Sequence, residues 1–473
     1  MGVDLHRELD AVLALGRLSR DDVGGKVEFS GEDPLTDSVF PLGAIAAVGR
    51  MVPSVAAAAL WKIRTGRGQN LSCDLRRAIH ELAPDVRLNG FTPEQLASTW
   101  ITRSGYNGAS YLRTRDNRLV FLANPYPDLV QAMSDVIGLP WHRKDDIAAA
   151  IAGRDALELE SAAAAKGACC VMVRTPEEWM AGEQARVLES LPVIDIQRLG
   201  DSAPEPLQPL KSGARPLSGV RALGLSRVLA GATIGTALAE HGADVLNVWS
   251  PGSFETNNAY IYAHMGMRPT WIAERTPEGQ AAVQALLKGA DIVFENRREG
   301  VMARRGLSFE DCAKLRPGII YVSLRAFGHE GPWRDRVGFD TPVLCAMGGT
   351  ALEGGSVETP RKPPKAPIND WIAGWFGAFG AMAALRLRAV QGGSWRVRVS
   401  LARSSQWWMK WPRFDKPVTP RTAPLPIDYY RAQTGLGEYQ GIPCQVIFSE
   451  TQPYFESPLS AIGSARPEWK PTQ

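Results

Sequence analysis

From about residue 217 onward, short apolar runs alternate with segments whose apolar residues recur every three or four positions. Val220–Leu225, Asp244–Trp249, Asp291–Glu295 and Ile319–Leu324 read as strands. Leu229–His241, Pro277–Lys288 and Ser308–Leu315 read as the helices between them. Strands and helices in alternation predict a parallel sheet covered on both faces, with ligands at the carboxyl ends of the strands. Ahead of this block the pattern is less regular. Leu42–Lys62 reads as a small-residue helix closed by Thr65-Gly66-Arg67-Gly68, followed by a short strand at Asn70–Leu75 and a helix at Arg76–Leu82. Ala109–Arg113 and Leu119–Ala123 flank Asp116-Asn117 as the arms of a hairpin. Helical spacing returns at Asp128–Ile137 and Lys144–Ala165, Val171–Val173 suits a strand, and Thr175-Pro-Glu-Glu178 is a capping box. Residues 200–216 are Pro-rich and polar and predict a linker.

One block occurs twice. Ile372–Leu401 reads as a Gly/Ala helix, a glycine turn at Gly392-Gly393 and a strand, and it repeats Ile45–Leu75 at an offset of 326 residues. Under that offset Gly66 falls on Gly392, Leu75 on Leu401, and Ala44 on Asp370.

Composition narrows the class. The chain of 473 residues is 45% hydrophobic and 22% charged, which suits ordinary folded domains of about 100–200 residues each. Its net charge of +3, without a long run of one sign, gives no general attraction for nucleic acid. The six cysteines, Cys73, Cys169, Cys170, Cys312, Cys345 and Cys444, contain no CxxC pair. The six histidines, His6, His80, His142, His241, His264 and His329, are dispersed, which predicts no metal site. The first residues lack a signal-peptide pattern, and the most apolar windows, Ala44–Leu60 and Ile372–Leu385, are broken by Arg50 or by Gly and Ala. A cytoplasmic protein with no membrane segment is expected.

No dinucleotide fingerprint follows the first strand, where the turn reads Ser226-Arg227-Val228-Leu229-Ala230-Gly231. That turn opens a helix suited to an anionic group. Asn296-Arg297-Arg298, Arg304-Arg305 and Arg325 through His329 lie after later strands, and guanidinium groups there suit a phosphate-bearing ligand. Asp370, in Pro367-Ile368-Asn369-Asp370-Trp371, opens a wholly apolar helix. Its carboxylate suits either a helix N-cap or a nucleophile held beside glycines.

These residues carry a resemblance. Pro216-Leu-Ser-Gly-Val-Arg221, Ser226 through Gly231, Leu238 through Val245, Thr276-Pro-Glu-Gly279, Ala290 through Asn296, Phe327 through Pro332 and Gly338-Phe-Asp340, with the Asp370 helix, resemble the family III CoA-transferases in the same order. The first half resembles later parts of that family through Thr65 to Gln69, Tyr106–Ala123 and Arg174 through Trp179, so the segment order is permuted. The resemblance implies a Rossmann-like, doubly wound α/β large domain with a smaller α+β domain, assembled as an interlocked, ring-like homodimer. It divides the chain into a large-domain segment at 1–100, a small domain at 101–165, a return segment and linker at 166–214, a CoA-binding large domain at 215–411 and an extended arm at 412–473.

The resemblance also implies the chemistry. Asp370 matches a nucleophilic aspartate, which takes an acyl-CoA through a mixed anhydride and an aspartyl-CoA thioester to a carboxylic acid acceptor. CoA is then a substrate, with no tightly bound cofactor. His329 matches a polar residue beside the acyl group. Arg227, Val228, Leu229, Arg268, Asn296, Arg304, Arg325 and Gly328 match positions that contact CoA or the reacting carbonyl. Gly224, Met267, Glu299 and Ala232 depart from the family pattern. Phe339 replaces the histidine that the racemase branch carries, and racemisation needs two opposed acid/base groups. A racemase or isomerase on the same scaffold, and a CoA-binding protein with degenerate catalysis, are the alternatives.

Overall fold

A computed structural model describes residues 2–96, 109–141, 144–420 and 422–471. His142 and the first residues of the Tyr106–Ala123 segment lie outside the described residues. The chain is mixed α/β around one seven-stranded sheet. Across that sheet the order is Arg268–Trp271, Asp244–Trp249, Arg221–Leu225, Ile292–Glu295, Ile320–Arg325, Ser394–Ser400 and Asp195–Gly200. Every pair is parallel except the last, in which Asp195–Gly200 runs antiparallel to Ser394–Ser400.

Strand alternation sends side chains to two separate cores. Ala222, Phe294, Val322 and Val397 pack on one face with the helices Ala230–Glu240 and Ile368–Gln391. Leu223, Leu246, Val293 and Tyr321 pack on the other with Val283, Leu287 and Phe309 of the helices Pro277–Lys288 and Phe309–Leu315. Most expected elements of this region lie within a residue of their observed bounds, because runs such as Ile292-Val-Phe-Glu295 are buried throughout. Two strands were not expected. Arg268–Trp271 contains a proline and sits at the sheet edge, and Asp195–Gly200 has a mostly half-exposed pattern.

The repeat is structural. The helices Leu42–Thr65 and Ile368–Gln391 begin and end at equivalent positions under the offset. Each follows a proline, ends at a glycine, and leads to a strand and then a helix that starts at Leu75 or Leu401. Val27–Ser30, Leu71–Asp74 and Val446–Phe448 reproduce, as a small separate sheet, the parallel-then-antiparallel arrangement of Ile320–Arg325, Ser394–Ser400 and Asp195–Gly200. The two helices cross where Gly49 meets Trp375, a pair of equivalent positions. Contact between equivalent positions is the signature of a two-fold relation, here within one chain.

The hairpin Ala109–Arg113/Leu119–Ala123 forms as expected and gains Cys170–Met172 as a third strand. The linker has no regular structure over 201–210, yet it is tethered where Glu205 pairs with Arg316 and the Gln208 carbonyl accepts from Arg64. The carboxyl-terminal segment contributes the hairpin Tyr430–Thr434/Gly437–Gly441, paired with Arg87–Leu88, which the sequence pattern did not reveal.

The Leu42–Thr65 helix is long and apolar enough to cross a membrane by length and composition, and its most apolar window is entirely buried inside the protein. Arg50 does not interrupt it, because its guanidinium is neutralised in place. Glu240 at 2.6 Å and Glu81 at 2.9 Å both pair with it, all in the interior. Removing the cation would strand two buried carboxylates. Arg50→Ala is therefore expected to lower the unfolding free energy by about 3–5 kcal/mol, as read from the urea midpoint.

Candidate active site

Asp370 lies in the first turn of the Ile368–Gln391 helix and is 7% exposed. It does not cap that helix, since the N-cap position is Pro367. Capping comes from Asp340 instead, whose Oδ2 accepts the Asn369 backbone N–H at 2.6 Å. One turn on, Gly374 rests against Thr233 and the Ala230 carbonyl, where a Cβ would come within 2.5 Å of Thr233. This close approach seats Asp370 over the start of the Ala230–Glu240 helix, beside the turn that ends the first strand.

That turn is held from two sides. Asn296 accepts the Arg227 N–H at 2.9 Å and donates to the Arg227 carbonyl at 2.7 Å. Glu255 accepts the Val228 N–H at 2.8 Å and the Tyr126 hydroxyl at 2.5 Å. Val228 is β-branched with φ +61°, a left-handed conformation that costs about 1–3 kcal/mol and persists only when its surroundings impose it. The arrangement brings together Asp370, Asp340, Arg227, Val228 and Leu229 with Tyr126 and Glu255. The last two gave no local sequence signal, apart from the prolines on either side of Tyr126. Asp340 was visible only within Gly338-Phe-Asp340.

Several expected binding residues are engaged elsewhere. Arg268 opens its strand, at the end of the sheet opposite the strand carboxyl ends, and pairs with Asp244 at 2.8 Å. Arg325 does end its strand, but it is bonded by Glu295 at 2.9 and 3.0 Å, with Glu299 at 3.6 Å. Arg227 bonds the Ser226 and Val248 carbonyls and lies 3.8 Å over the Trp249 ring, and desolvation lowers its pKa to about 9. Arg298 and Arg304 are exposed on the loop after Ile292–Glu295. His329 lines a recess with Arg398 and Ser400, and burial together with Arg325 and Arg398 pushes its pKa well down. Gly328, φ +102°, sits against Leu188 and is the turn that delivers His329 there.

The departures have physical reasons. A Cβ at Gly224 would lie 2.5 Å from both Phe294 and Asn247. Met267 is buried, with its sulfur against Gly235. Phe339 stacks on Tyr126, with ring centroids 6.2 Å apart. Among the described residues no cluster of three or more His, Cys, Asp or Glu could hold a metal.

Residues 217–435 match CoA-transferase family III. That segment carries the family's pattern. The family III match begins after the linker and runs on into the carboxyl-terminal arm, beyond the Leu401 limit of the resemblance read from the sequence. The chain is 36% identical over 190 residues to a succinyl-CoA–D-citramalate CoA-transferase of Chloroflexus aurantiacus, which is 38% of this chain and 47% of that protein. It is 35% identical over 188 residues to a succinate–glutarate CoA-transferase of Agrobacterium fabrum, 36% of this chain and 47% of that one. An acyl-CoA transferase of Gibberella moniliformis is 30% identical over 256 residues, 52% of this chain and 45% of that protein. The chain thus spans about half the length of the curated relatives it matches. A solved CaiB/BaiF family protein of Brucella suis is 26% identical with a TM-score of 0.38, covering 48% of this chain and 65% of that one.

The two carboxylates at the helix start share one desolvated space. Burial raises the pKa of Asp370 well above the carboxylate range, and Asp340 adds to the rise. Burial also raises Asp340, to about 6, against the lowering effect of the backbone N–H groups it accepts. A carboxyl group raised on folding contributes stability that is complete below its unfolded pKa and is lost as pH climbs through its folded pKa. Asp370→Asn removes one ionisation from the pair. It is therefore expected to raise the melting temperature at pH 8 by about 2–4 °C more than at pH 5. Scanning calorimetry at the two pH values checks this, and the reverse order would contradict the coupling.

Proposed function

We propose that this chain is a CoA-transferase that moves CoA from an acyl-CoA to a carboxylic acid through covalent intermediates on Asp370. The observation that carries the reading is a carboxylate without a capping task. Asp340 caps the helix, so Asp370 is buried at the strand-end turn as a group available for chemistry.

The steps balance. The Asp370 carboxylate attacks the thioester carbonyl and expels CoA thiolate, leaving an acyl-aspartyl anhydride. The thiolate attacks the aspartyl carbonyl, which releases the first carboxylate and forms an aspartyl-CoA thioester. The acceptor carboxylate displaces the thiolate to form a second anhydride. Attack of the thiolate on the acceptor's acyl carbon then yields the new acyl-CoA and restores Asp370. Division into exchanges between activated acyl groups keeps each barrier low. Val228 and Leu229 are assigned to the reacting carbonyl, and His329 to the acyl side, by resemblance. An interlocked homodimer and a cytoplasmic location are part of this reading on the resemblance alone.

A second reading, CoA binding without transfer, rests on the departures from the family pattern at Gly224, Met267 and Glu299. Incubation with an acyl-CoA and trapping with hydroxylamine separates the two. Mass spectrometry is expected to find the modification at Asp370, and Asp370→Ala is expected to abolish exchange while leaving CoA affinity within about twofold. Turnover retained in Asp370→Ala would overturn the assignment. CoA binding by the unaltered chain with neither adduct nor exchange would establish the second reading. Arg304→Ala is expected to weaken CoA binding by about tenfold through loss of a charge-assisted phosphate contact. Titration calorimetry measures that loss, with Arg268→Ala as the contrast that leaves affinity unchanged.

A further inference from the structure

We propose that Tyr126 and Glu255 are positioning residues, a clamp that holds Val228 in its strained conformation beside Asp370. The clamp rests on the transfer reading above and extends it to Tyr126, which precedes the matched family segment, and to Glu255, which lies inside that segment but in none of the motifs named above.

Tyr126 is presented rigidly. It is the N-cap of the Pro127–Ile137 helix. The Asn124 side chain, two residues earlier, accepts the Cys169 N–H at 2.9 Å and donates to the Cys169 carbonyl at 3.1 Å. The Tyr126 ring stacks on Phe339, whose neighbour Asp340 caps the Asp370 helix. The hydroxyl donates to Glu255 Oε1, and Thr256 N–H donates to the same oxygen at 3.0 Å. The other oxygen, Oε2, is then fixed on the Val228 N–H. Asp370 lies near enough for its charge to help raise the Tyr126 pKa, which places the pair at the nucleophile.

The clamp has a specific task. A β-branched residue at φ +61° relaxes toward extended backbone unless it is restrained. Asn296 restrains only Arg227, the residue before it. Glu255 restrains the Val228 N–H, His264 bonds the Val228 backbone as well, and Tyr126 is what orients Glu255. The turn that would receive the thioester carbonyl is therefore shaped by a residue between the Leu119–Ala123 strand and the Pro127–Ile137 helix, so seating of those elements and readiness of the site are coupled.

Amide exchange read by mass spectrometry reports on the clamp without any turnover. Glu255→Ala and Tyr126→Phe are expected to speed exchange in peptides covering 226–230 by about tenfold, as loss of a hydrogen bond to a charged group implies. Wild-type protection in both variants would overturn the clamp. In the Asp370 trapping assay, Tyr126→Phe keeps the ring on Phe339 and is expected to slow adduct formation by about tenfold while CoA affinity stays within about twofold. Glu255→Gln retains an oxygen for the Val228 N–H and is expected to keep more rate than Glu255→Ala. Adduct formation at the wild-type rate in Tyr126→Phe would overturn the positioning role. A wild-type chain that forms no adduct refutes the transfer reading instead, and the exchange measurement still decides the clamp.

Discussion

Two carboxylates buried at the start of one helix set the terms for the rest of the site. A buried carboxylate is costly unless it is bonded or protonated, and Asp340 and Asp370 divide those solutions between them. Asp340 takes the backbone N–H that any helix start leaves open. Asp370 is left without a capping bond and is driven toward its neutral form, so ionising it returns a strongly basic carboxylate. The close helix packing at Gly374 and Gly377 keeps water from relieving that cost, since a Cβ at either would meet Thr233 or Ile234 within 2.9 Å. The small residues of the Ile368–Gln391 helix are thus part of the electrostatics of Asp370.

The amino-terminal copy is an internal control for this division. Its helix is capped in the same way, by Asp33, which accepts the N–H groups of Gly43 at 3.0 Å and Ala44 at 2.8 Å. Gly43 is the equivalent of Asn369, and Ala44 of Asp370. Capping is therefore what the helix start requires in both copies, and the second carboxylate occurs in only one. The short connection from Ser30 to Leu42 also stands where the longer segment from Arg325 to Ile368 carries the Phe339–Asp340 corner. The first copy keeps the architecture of a helix start without the residues for covalent chemistry.

The sheet was legible from sequence because its strands are apolar throughout and its helices carry their own start signals, such as the capping box at Ser308 and Asp311. Asp370 and the turn at Arg227–Val228 were also legible as candidates. The edge strand Arg268–Trp271 was not, since pairing on one side asks little of its composition. Arg268 was misplaced for the same reason: without that strand, nothing indicated that it faces the amino ends of its neighbours. Tyr126 and Glu255 could not be found from local pattern, because their pairing spans 129 residues and depends on how distant elements meet. Asp340 was hidden by its function, for a cap supplied from another element has no spacing rule.

The arginines show why residue type at a strand end is weaker evidence than its partners. A guanidinium whose donors are satisfied by a carboxylate has little left for phosphate, and Glu295 uses Arg325 in this way at the floor of the sheet. Arg227 is spent differently: its charge lies on Trp249 and its donors on two carbonyls, so it braces the turn that Val228 continues. Arg298 and Arg304 are exposed and follow a strand whose last residue, Glu295, is already neutralised by Arg325. An anion approaching that loop meets two available cations and no uncompensated carboxylate at the strand end. Glu299 opposes it, because Arg325, already paired with Glu295, has no second charge for a carboxylate 3.6 Å away. The inward pairs leave Arg298 and Arg304 as the exposed cations of this loop, while Asp370 lies buried at the neighbouring turn.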